Sequence, residues 1–278
     1  MKLHFIKCNP TENMTILVMD PVPVELKAEI ATRLLAQNHL HAEQVGFVEK
    51  PHDPNNGSVV RLQMMGGEFC ANATRSLAAV LAFKGFPAQK TEEEELLYRL
   101  QVSGVEHPVD CRVLKLSGKE NTYVSEARLP LPVKWETMIL MHGAKSVTGE
   151  LVVFPGISHL IVNKNEIDNP EEFFRLVKKQ LSDQQDDAIG VMFYDSSRSY
   201  MEPLVWVRGT DTRYWERGCG SGTAAVGAVL AAQKQGNVRK QIFQPGGALE
   251  ITAEWQGAVT ALSLSGEVEL VAEGTAYL

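Results

Sequence analysis

The chain has 278 residues, 27 Lys plus Arg against 34 Asp plus Glu, a formal charge of −7, and 44% apolar and 22% charged residues. Such a composition is that of an ordinary globular protein with material for one large domain or two, and its acidic balance argues against nucleic acid or an anionic membrane as partner. No apolar run approaches the ~20 residues that span a bilayer. The N-terminus lacks the pattern of a secretory signal, so the expectation is a cytoplasmic protein. Four cysteines are too sparse for a disulfide framework and show no C-x-x-C pair for zinc; they are buried filler or chemistry.

In chain order, residues 3–8 and 14–20 read as strands joined by the Asn9-Pro10-Thr11-Glu12-Asn13 turn. Leu26, Ile30, Leu34 and Leu35 recur at helical spacing and predict a helix over 24–37. Strands at 44–49 and 58–65 follow, then Gly66-Gly67-Glu68-Phe69-Cys70-Ala71-Asn72 leading into the apolar run 77–83, a glycine turn feeding an Ala- and Leu-rich helix. His39, His41 and Glu43 precede a strand at a spacing that fits a solvated loop better than a metal site, and the acidic run 92–95 reads as a solvated face. Strands are expected at 97–103, 109–116 and 123–129, after which Pro130-Leu131-Pro132 breaks the pattern.

The second half repeats the plan. Strands at 151–154 and 159–163, a helix over 170–181, and strands at 189–194 and 203–207 precede Glu216-Arg217-Gly218-Cys219-Gly220-Ser221-Gly222-Thr223, a second glycine turn feeding an Ala-rich helix. From 241 to 278 the chain reads as short strands separated by Gly246-Gly247, Gly257, Gly266 and Gly274. The expected architecture is therefore α+β with two pseudo-symmetric halves.

Cys70 and Cys219 each sit at the mouth of a predicted helix. There, unpaired N–H groups and the helix dipole favour an anion, and a thiol is expected below its ordinary ~8.5. The same N–H groups can hold a carboxylate, and the glycines let the backbone approach a small ligand. Two such units suit a two-base inversion, in which one sulfur removes the α-proton of an amino acid and the other returns a proton to the opposite face, with no cofactor. Cys8 and Cys111 read as inert buried residues. Glu216 to Thr223 also resembles the glycine loop of methyltransferases, but no apolar strand precedes it and too little chain follows. A rival of another class is a protein that binds a small carboxylate without chemistry.

Asn9-Pro10-Thr11-Glu12-Asn13-Met14-Thr15, Glu43-Gln44-Val45-Gly46-Phe47, Glu68-Phe69-Cys70-Ala71-Asn72-Ala73-Thr74, Cys219-Gly220-Ser221-Gly222-Thr223 and Gln244-Pro245-Gly246-Gly247 run from end to end of the chain. In this order and spacing they resemble the diaminopimelate epimerase superfamily of cofactor-independent two-cysteine epimerases and racemases. Within it they most resemble the histidine racemases that supply D-histidine for opine-type metallophores such as staphylopine. The resemblance implies two strand-rich barrels, each around a central helix: an N-terminal domain over 1–131 carrying Cys70 and completed by a strand at about 267–278, and a C-terminal domain over 132–266 carrying Cys219. It implies Cys70 and Cys219 as the acid–base pair, and Ala71, Asn72, Gly220 and Ser221 as holders of the substrate carboxylate. Asn13 and Gln44 would line the pocket, and Glu216 and Arg217 would lie near the α-amino group. Neither a cofactor nor a metal is implied; the partner is a small amino acid, and a homodimer is left open.

Two departures bear on the substrate. The first motif reads Cys70-Ala71-Asn72 where the family usually has Cys-Gly-Asn, and Met64-Met65, Ile157-Ser158 and Ala188-Ile189 stand where diaminopimelate epimerases place asparagines. A polar grip cannot be rebuilt from Met and Ile. Histidine is favoured over diaminopimelate, with racemisation of another amino acid as the alternative. His159 approaches the site or is a structural histidine at a strand start.

Overall fold

The structure is a computed structural model that describes residues 1–91, 94–181, 186–208 and 211–278. The chain divides into two units, Met1–Leu129 with Leu264–Leu278, and Pro130–Ser263.

The first unit is built on β1 (Lys2–Asn9), β2 (Thr15–Val18), α1 (Lys27–Leu35), β3 (Gln44–Glu49), β4 (Val60–Met64), α2 (Ala71–Phe83), β5 (Gln89–Lys90), β6 (Leu96–Val102), β7 (Val109–Lys115) and β8 (Thr122–Leu129). The second contains β9 (Lys134–His142), β10 (Lys145–Phe154), β11 (Ile157–Asn163), α3 (Pro170–Gln180), β12 (Ala188–Asp195), β13 (Tyr200–Val207), β14 (Thr212–Trp215), α4 (Gly220–Lys234), β15 (Val238–Gln244) and β16 (Gly247–Trp255). The last strand, β17 (Val259–Tyr277), starts in the second unit and finishes in the first.

In the first unit the hydrogen-bonded ladder closes on itself. It runs β1–β2–β3–β4–β6–β7–β8–β17 and back to β1, eight strands in all, with parallel steps at β2–β3 and β4–β6. Closure removes the exposed sheet edge that an open ladder would leave. Alternation sorts the strand residues: Ile6, Cys8, Tyr98, Leu100, Cys111, Val113 and Tyr123 pack in one core with α2, whereas Phe5, Val45 and Phe47 pack with α1. Residues 71–81 of α2 are all buried, as expected of a helix enclosed on every side. Two of its polar groups are tied locally and across the barrel: Thr74 Oγ1 donates to the Cys70 carbonyl at 2.8 Å, and the Arg75 carbonyl accepts from Ser125 Oγ at 2.9 Å.

In the second unit β9 to β14 pair in sequence order, β11 and β12 in parallel, and β15 joins β13 through Tyr200 and Phe243 before pairing with β16. α3 carries the full set of local signals: Asn169 Oδ1 accepts from the Glu172 N–H, Pro170 opens the helix, and Glu171 and Glu172 oppose Lys178 and Lys179 across its dipole. It buries Phe173, Phe174 and Val177 against the sheet. α4 is rich in Gly, Ala and Val, which lets it lie close against β16, β15, β11 and β12.

Several elements differ from expectation. The helix expected over 24–37 is a 3-10 turn at Val24–Leu26 followed by α1, since Ala36 already leaves helical geometry. β9 carries no usable alternation because Ile139 and Met141 are exposed beside buried Leu140, so an apolar run faces both ways. It pairs with a β10 longer than expected through a two-residue turn at Gly143, whose φ of +64° suits a type II′ hairpin. β17 runs straight through Gly266 and Gly274, which have no positive φ; Gly274 instead lies opposite Phe5 in β1. Of the acidic run, Glu92 and Glu93 lie outside the described residues, and Glu94 pairs with Lys90 at 3.2 Å.

Gly227 tests how closely α4 is packed. A Cβ there would stand 2.3 Å from Ile251 Cγ1 and 3.0 Å from its Cγ2, on a fully buried β-branched side chain. Gly227→Ala is expected to lower unfolding free energy by about 1–3 kcal/mol despite its gain in helix propensity, as measured by urea unfolding. An unchanged or stabilised variant would show that β16 yields without cost.

Candidate active site

The two cysteines occupy equivalent local positions. Cys70 is the N-cap of α2 and Cys219 the N-cap of α4, both with extended backbone (φ −124°, ψ 108° and φ −96°, ψ 109°). Each sulfur accepts a hydrogen bond from the third residue of its helix, Ala73 N–H to Cys70 Sγ at 3.4 Å and Gly222 N–H to Cys219 Sγ at 3.3 Å. In each, the threonine four residues on returns a hydroxyl hydrogen bond to the cysteine carbonyl, from Thr74 at 2.8 Å and from Thr223 at 2.6 Å. Cysteine thus takes the place usually held by Ser, Thr, Asp or Asn. Ala71 and Asn72, and Gly220 and Ser221, are the first two residues of these helices, where N–H groups have no partner in the helix itself.

The segment before Cys70 is fixed from below. Ser103 Oγ accepts from the Met64 N–H and donates to the Glu68 carbonyl, both at 2.9 Å. Gly104 (φ +78°) presses against the same segment so closely that a Cβ would lie 2.2 Å from the Phe69 nitrogen. Only glycine fits there.

Asn13 is buried and follows two residues with positive φ, Thr11 at 62° and Glu12 at 57°. Glu12 N–H donates to Asn9 Oδ1 at 2.7 Å, so the turn is tied to the end of β1. Asn13 joins Asn72 directly: Asn72 Nδ2 donates to Asn13 Oδ1 at 3.1 Å, and Asn13 Nδ2 donates to Glu43 Oε2 at 2.7 Å. Gln44, half-buried at the start of β3, donates its N–H to the Met14 carbonyl at 3.1 Å. Asn13 and Asn72 therefore meet at the mouth of α2, and Gln44 is tied by its backbone to the residue after Asn13. Glu43 belongs with them rather than with His39 and His41; among the described residues no group of three His, Cys, Asp or Glu could hold a metal ion.

Cys219 is more enclosed. Its N–H donates to Gln244 Oε1 at 2.7 Å, and Gln244 Nε2 donates to Thr223 Oγ1 at 2.9 Å, so one buried glutamine braces both ends of the cap. Ser221 Oγ lies 3.7 Å from Cys219 Sγ and 2.8 Å from His159 Nε2. Glu216 hydrogen-bonds the Cys219 side chain. Arg217 reaches across to the Pro245 carbonyl at 3.2 Å, and its own carbonyl accepts from the Gly246 N–H at 2.7 Å. The Gln244-Pro245-Gly246 stretch was legible as a motif, but its bracing of Cys219 required the β15–α4 packing to be seen.

Electrostatics at Cys219 run opposite to the sequence expectation. Burial, reinforced by the neighbouring Glu216 carboxylate, pushes its thiol well above the ordinary value, and the Gly222 N–H and Ser221 hydroxyl oppose this only in part. A helix N-terminus acts over one turn, whereas full desolvation acts on the whole charge. Cys8 is pushed up to about 12 by burial and Cys111 further still; both are inert core thiols.

Ile157 and Ser158 of β11 pair directly with Ala188 and Ile189 of β12. Ser158 Oγ donates to Asp186, while Met64 is buried and Met65 half-buried at the end of β4. His159 is fully buried, and desolvation pushes it down to about 3 from an ordinary 6.5, so it is neutral. It faces Gly190, where a Cβ would stand 2.4 Å from its Nδ1.

A neutral buried histidine has a sign-definite effect on acid stability. Below pH 6.5 the unfolded chain binds a proton that folded His159 refuses until about pH 3, so stability falls as pH drops through that window and is complete above it. His159→Gln is expected to flatten the acid limb between pH 6 and 4 by up to about 1.4 kcal/mol per pH unit, as followed by urea unfolding at stepped pH. Equal limbs in both proteins would mean that His159 is protonated in place.

Known proteins resemble this chain along nearly its whole length. The family model for the histidine racemase CntK N-terminal domain matches residues 2–277. A histidine racemase of Fusobacterium nucleatum subsp. nucleatum is 35% identical over 99% of this chain and 97% of its own length, and one of Staphylococcus aureus is 29% identical over 99% and 98%. Among solved structures, a hydroxyproline epimerase from Agrobacterium vitis with bound trans-4-hydroxy-L-proline shares the fold with a TM-score of 0.68, at 10% identity over 100% of this chain and 93% of that one. With its family model and relatives matching from end to end, this chain belongs to the histidine racemase family of isomerases.

Proposed function

We propose that this amino-acid racemase inverts the α-carbon of L-histidine to give D-histidine by a two-base mechanism on Cys70 and Cys219. The observation that carries the reading is the matched pair of caps, each a sulfur at the N-terminus of a buried helix with the third N–H of that helix donated to it. A thiolate on one side takes the α-proton, and the electron pair is left on the α-carbon and drawn into the carboxylate. The thiol on the other side then gives its proton to the opposite face. Reversal exchanges the two roles, so no cofactor is consumed.

In this reading the first-turn N–H groups at Ala71, Asn72, Gly220 and Ser221 hold the carboxylate and the charge that grows on it. Asn13 and Gln44 line the pocket, and Glu216 and Arg217 face the α-amino group. Cys219 rests as the neutral thiol, because burial and Glu216 both disfavour its charge. Histidine is favoured because the relatives named above are histidine racemases, and because Met64-Met65, Ile157-Ser158 and Ala188-Ile189 cannot supply the polar grip that diaminopimelate would need. We read the fold as of the diaminopimelate epimerase type and D-histidine as a precursor for an opine-type metallophore.

The test is proton NMR of L-histidine with reduced enzyme in D₂O, followed by chiral chromatography. Loss of the α-proton signal with appearance of D-histidine is expected, and Cys70→Ser or Cys219→Ser should each lower turnover by at least about 100-fold. Near-normal turnover in either variant overturns the two-base mechanism. Exchange with another amino acid but not histidine replaces the substrate, and ligand-dependent thermal stabilisation without exchange would make the chain a binding protein.

A further inference from the structure

Arg75 is fully buried inside the first barrel, an expensive place for a guanidinium. Among the described residues no carboxylate pairs with it directly. Nη1 donates to the Gly266 carbonyl of β17 at 3.0 Å, and Nη2 donates to Asn72 Oδ1 at 2.8 Å; Nε has no hydrogen-bond partner. Since Asn72 is the second residue of α2, this contact brings the positive charge to the first turn of the helix that Cys70 caps. From Arg75 the hydrogen bonds run in one direction, through Asn72 to Asn13 and on to the Glu43 carboxylate. That order fixes which way both amides face.

The remaining groups around α2 narrow what the charge can act on. Cys8 on β1 and Cys111 on β7 face the barrel interior and are kept neutral by burial, as are Tyr98 on β6 and Tyr123 on β8. Asp110 and Glu126 flank Cys111 and Ala127 on the alternate, outward-facing rows of β7 and β8. Glu49 on β3 is taken up by Lys27 of α1 and by Arg61 on β4. β2 carries no charged residue, and Glu267, Glu269 and Glu273 of β17 are exposed. Cys70, half-buried at the cap, is the thiol that burial does not seal.

We propose that Arg75 is a positioning residue for Cys70, its buried charge holding Cys70 as the thiolate of the pair while its hydrogen bond to Asn72 aligns the amides beside it. The proposal rests on reading Cys70 as an acid–base group. A cation enclosed by an apolar barrel acts on a nearby anion with little screening. Burial lowers Arg75 only to about 10, opposed by the Cys70 and Cys111 sulfurs, so it stays charged at neutral pH. Cys219 has the opposite surroundings, a sealed thiol beside a carboxylate. The two caps are alike in geometry and opposite in charge, which gives the resting enzyme one base and one acid.

The experiment is the pH dependence of iodoacetamide alkylation at Cys70, read by peptide mass spectrometry in a Cys219→Ser background. Parent protein is compared with Arg75→Gln, which can keep a hydrogen bond to Asn72, and with Arg75→Met and Arg75→Lys. The expected midpoint in the parent lies below the ordinary thiol value of ~8.5, rises by about 1 unit or more in the Gln and Met variants, and is retained in the Lys variant. A parent midpoint at or above the ordinary value overturns the proposal without any substitution at Arg75. So does an unchanged midpoint in a Gln or Met variant that melts cooperatively. Alkylation needs no turnover, so this result stands apart from whether histidine is the substrate.

Discussion

A helix enclosed by strands cannot send the N–H groups of its first turn to bulk water, and an unpartnered buried N–H costs about 1–3 kcal/mol. Much of this protein is arranged around that constraint. α2 and α4 each begin on a cysteine whose sulfur takes one of those donors and whose carbonyl takes a threonine hydroxyl. Sulfur is a weak acceptor, so such a cap stabilises less than serine or aspartate would. Both helices nonetheless use it, in matched geometry. In the proposed mechanism, stability and chemistry draw on the same few backbone groups.

The scaffold around each cap shows how tightly its position is set. At Cys70, Ser103 and Gly104 reach the preceding segment from the β6–β7 turn, one by hydrogen bonds and the other by a contact that admits no side chain. At Cys219, Gln244 reaches the cap from β15, and Gly222 leaves room for Met192, whose Sδ would lie 2.2 Å from a Cβ there. Neither brace is local in sequence. The surroundings also differ in charge, with a guanidinium on the Asn72 side of the first cap and a carboxylate on the second. For the two-base inversion proposed above, that difference matters as much as the likeness.

Much of this was legible in the residues. α3 could be read from the helical spacing of Phe173, Phe174, Val177 and Leu181, and β3 from its compact apolar run, because those signals are local and the structure adds nothing that opposes them. The cysteine motifs stood out because a glycine turn followed by small apolar residues reads as a buried helix start. β9 was hidden, since Ile139 and Met141 point to solvent and erase the alternation that marks a strand. The unbroken β17 was hidden for the converse reason: glycine reads as punctuation, whereas Gly274 lies in line opposite Phe5. The motifs singled out Asn13, Gln44 and Asn72, but not the contacts of Glu43, Ser103 and Gln244, because each meets a partner distant in sequence.

The amino-acid sequence by itself determined the element types, the two helix mouths and the pair of sulfurs, all of which follow from local composition and spacing. Only the tertiary structure decided the ionisation of Cys219. Local reasoning assigns both thiols a lowered pKa from the helix dipole, yet Cys219 lies sealed beside Glu216 and is pushed the other way. Desolvation and charge proximity depend on what the rest of the chain brings alongside, and those neighbours come from other strands and loops. A dipole can be read from a helix alone, but a dielectric environment cannot.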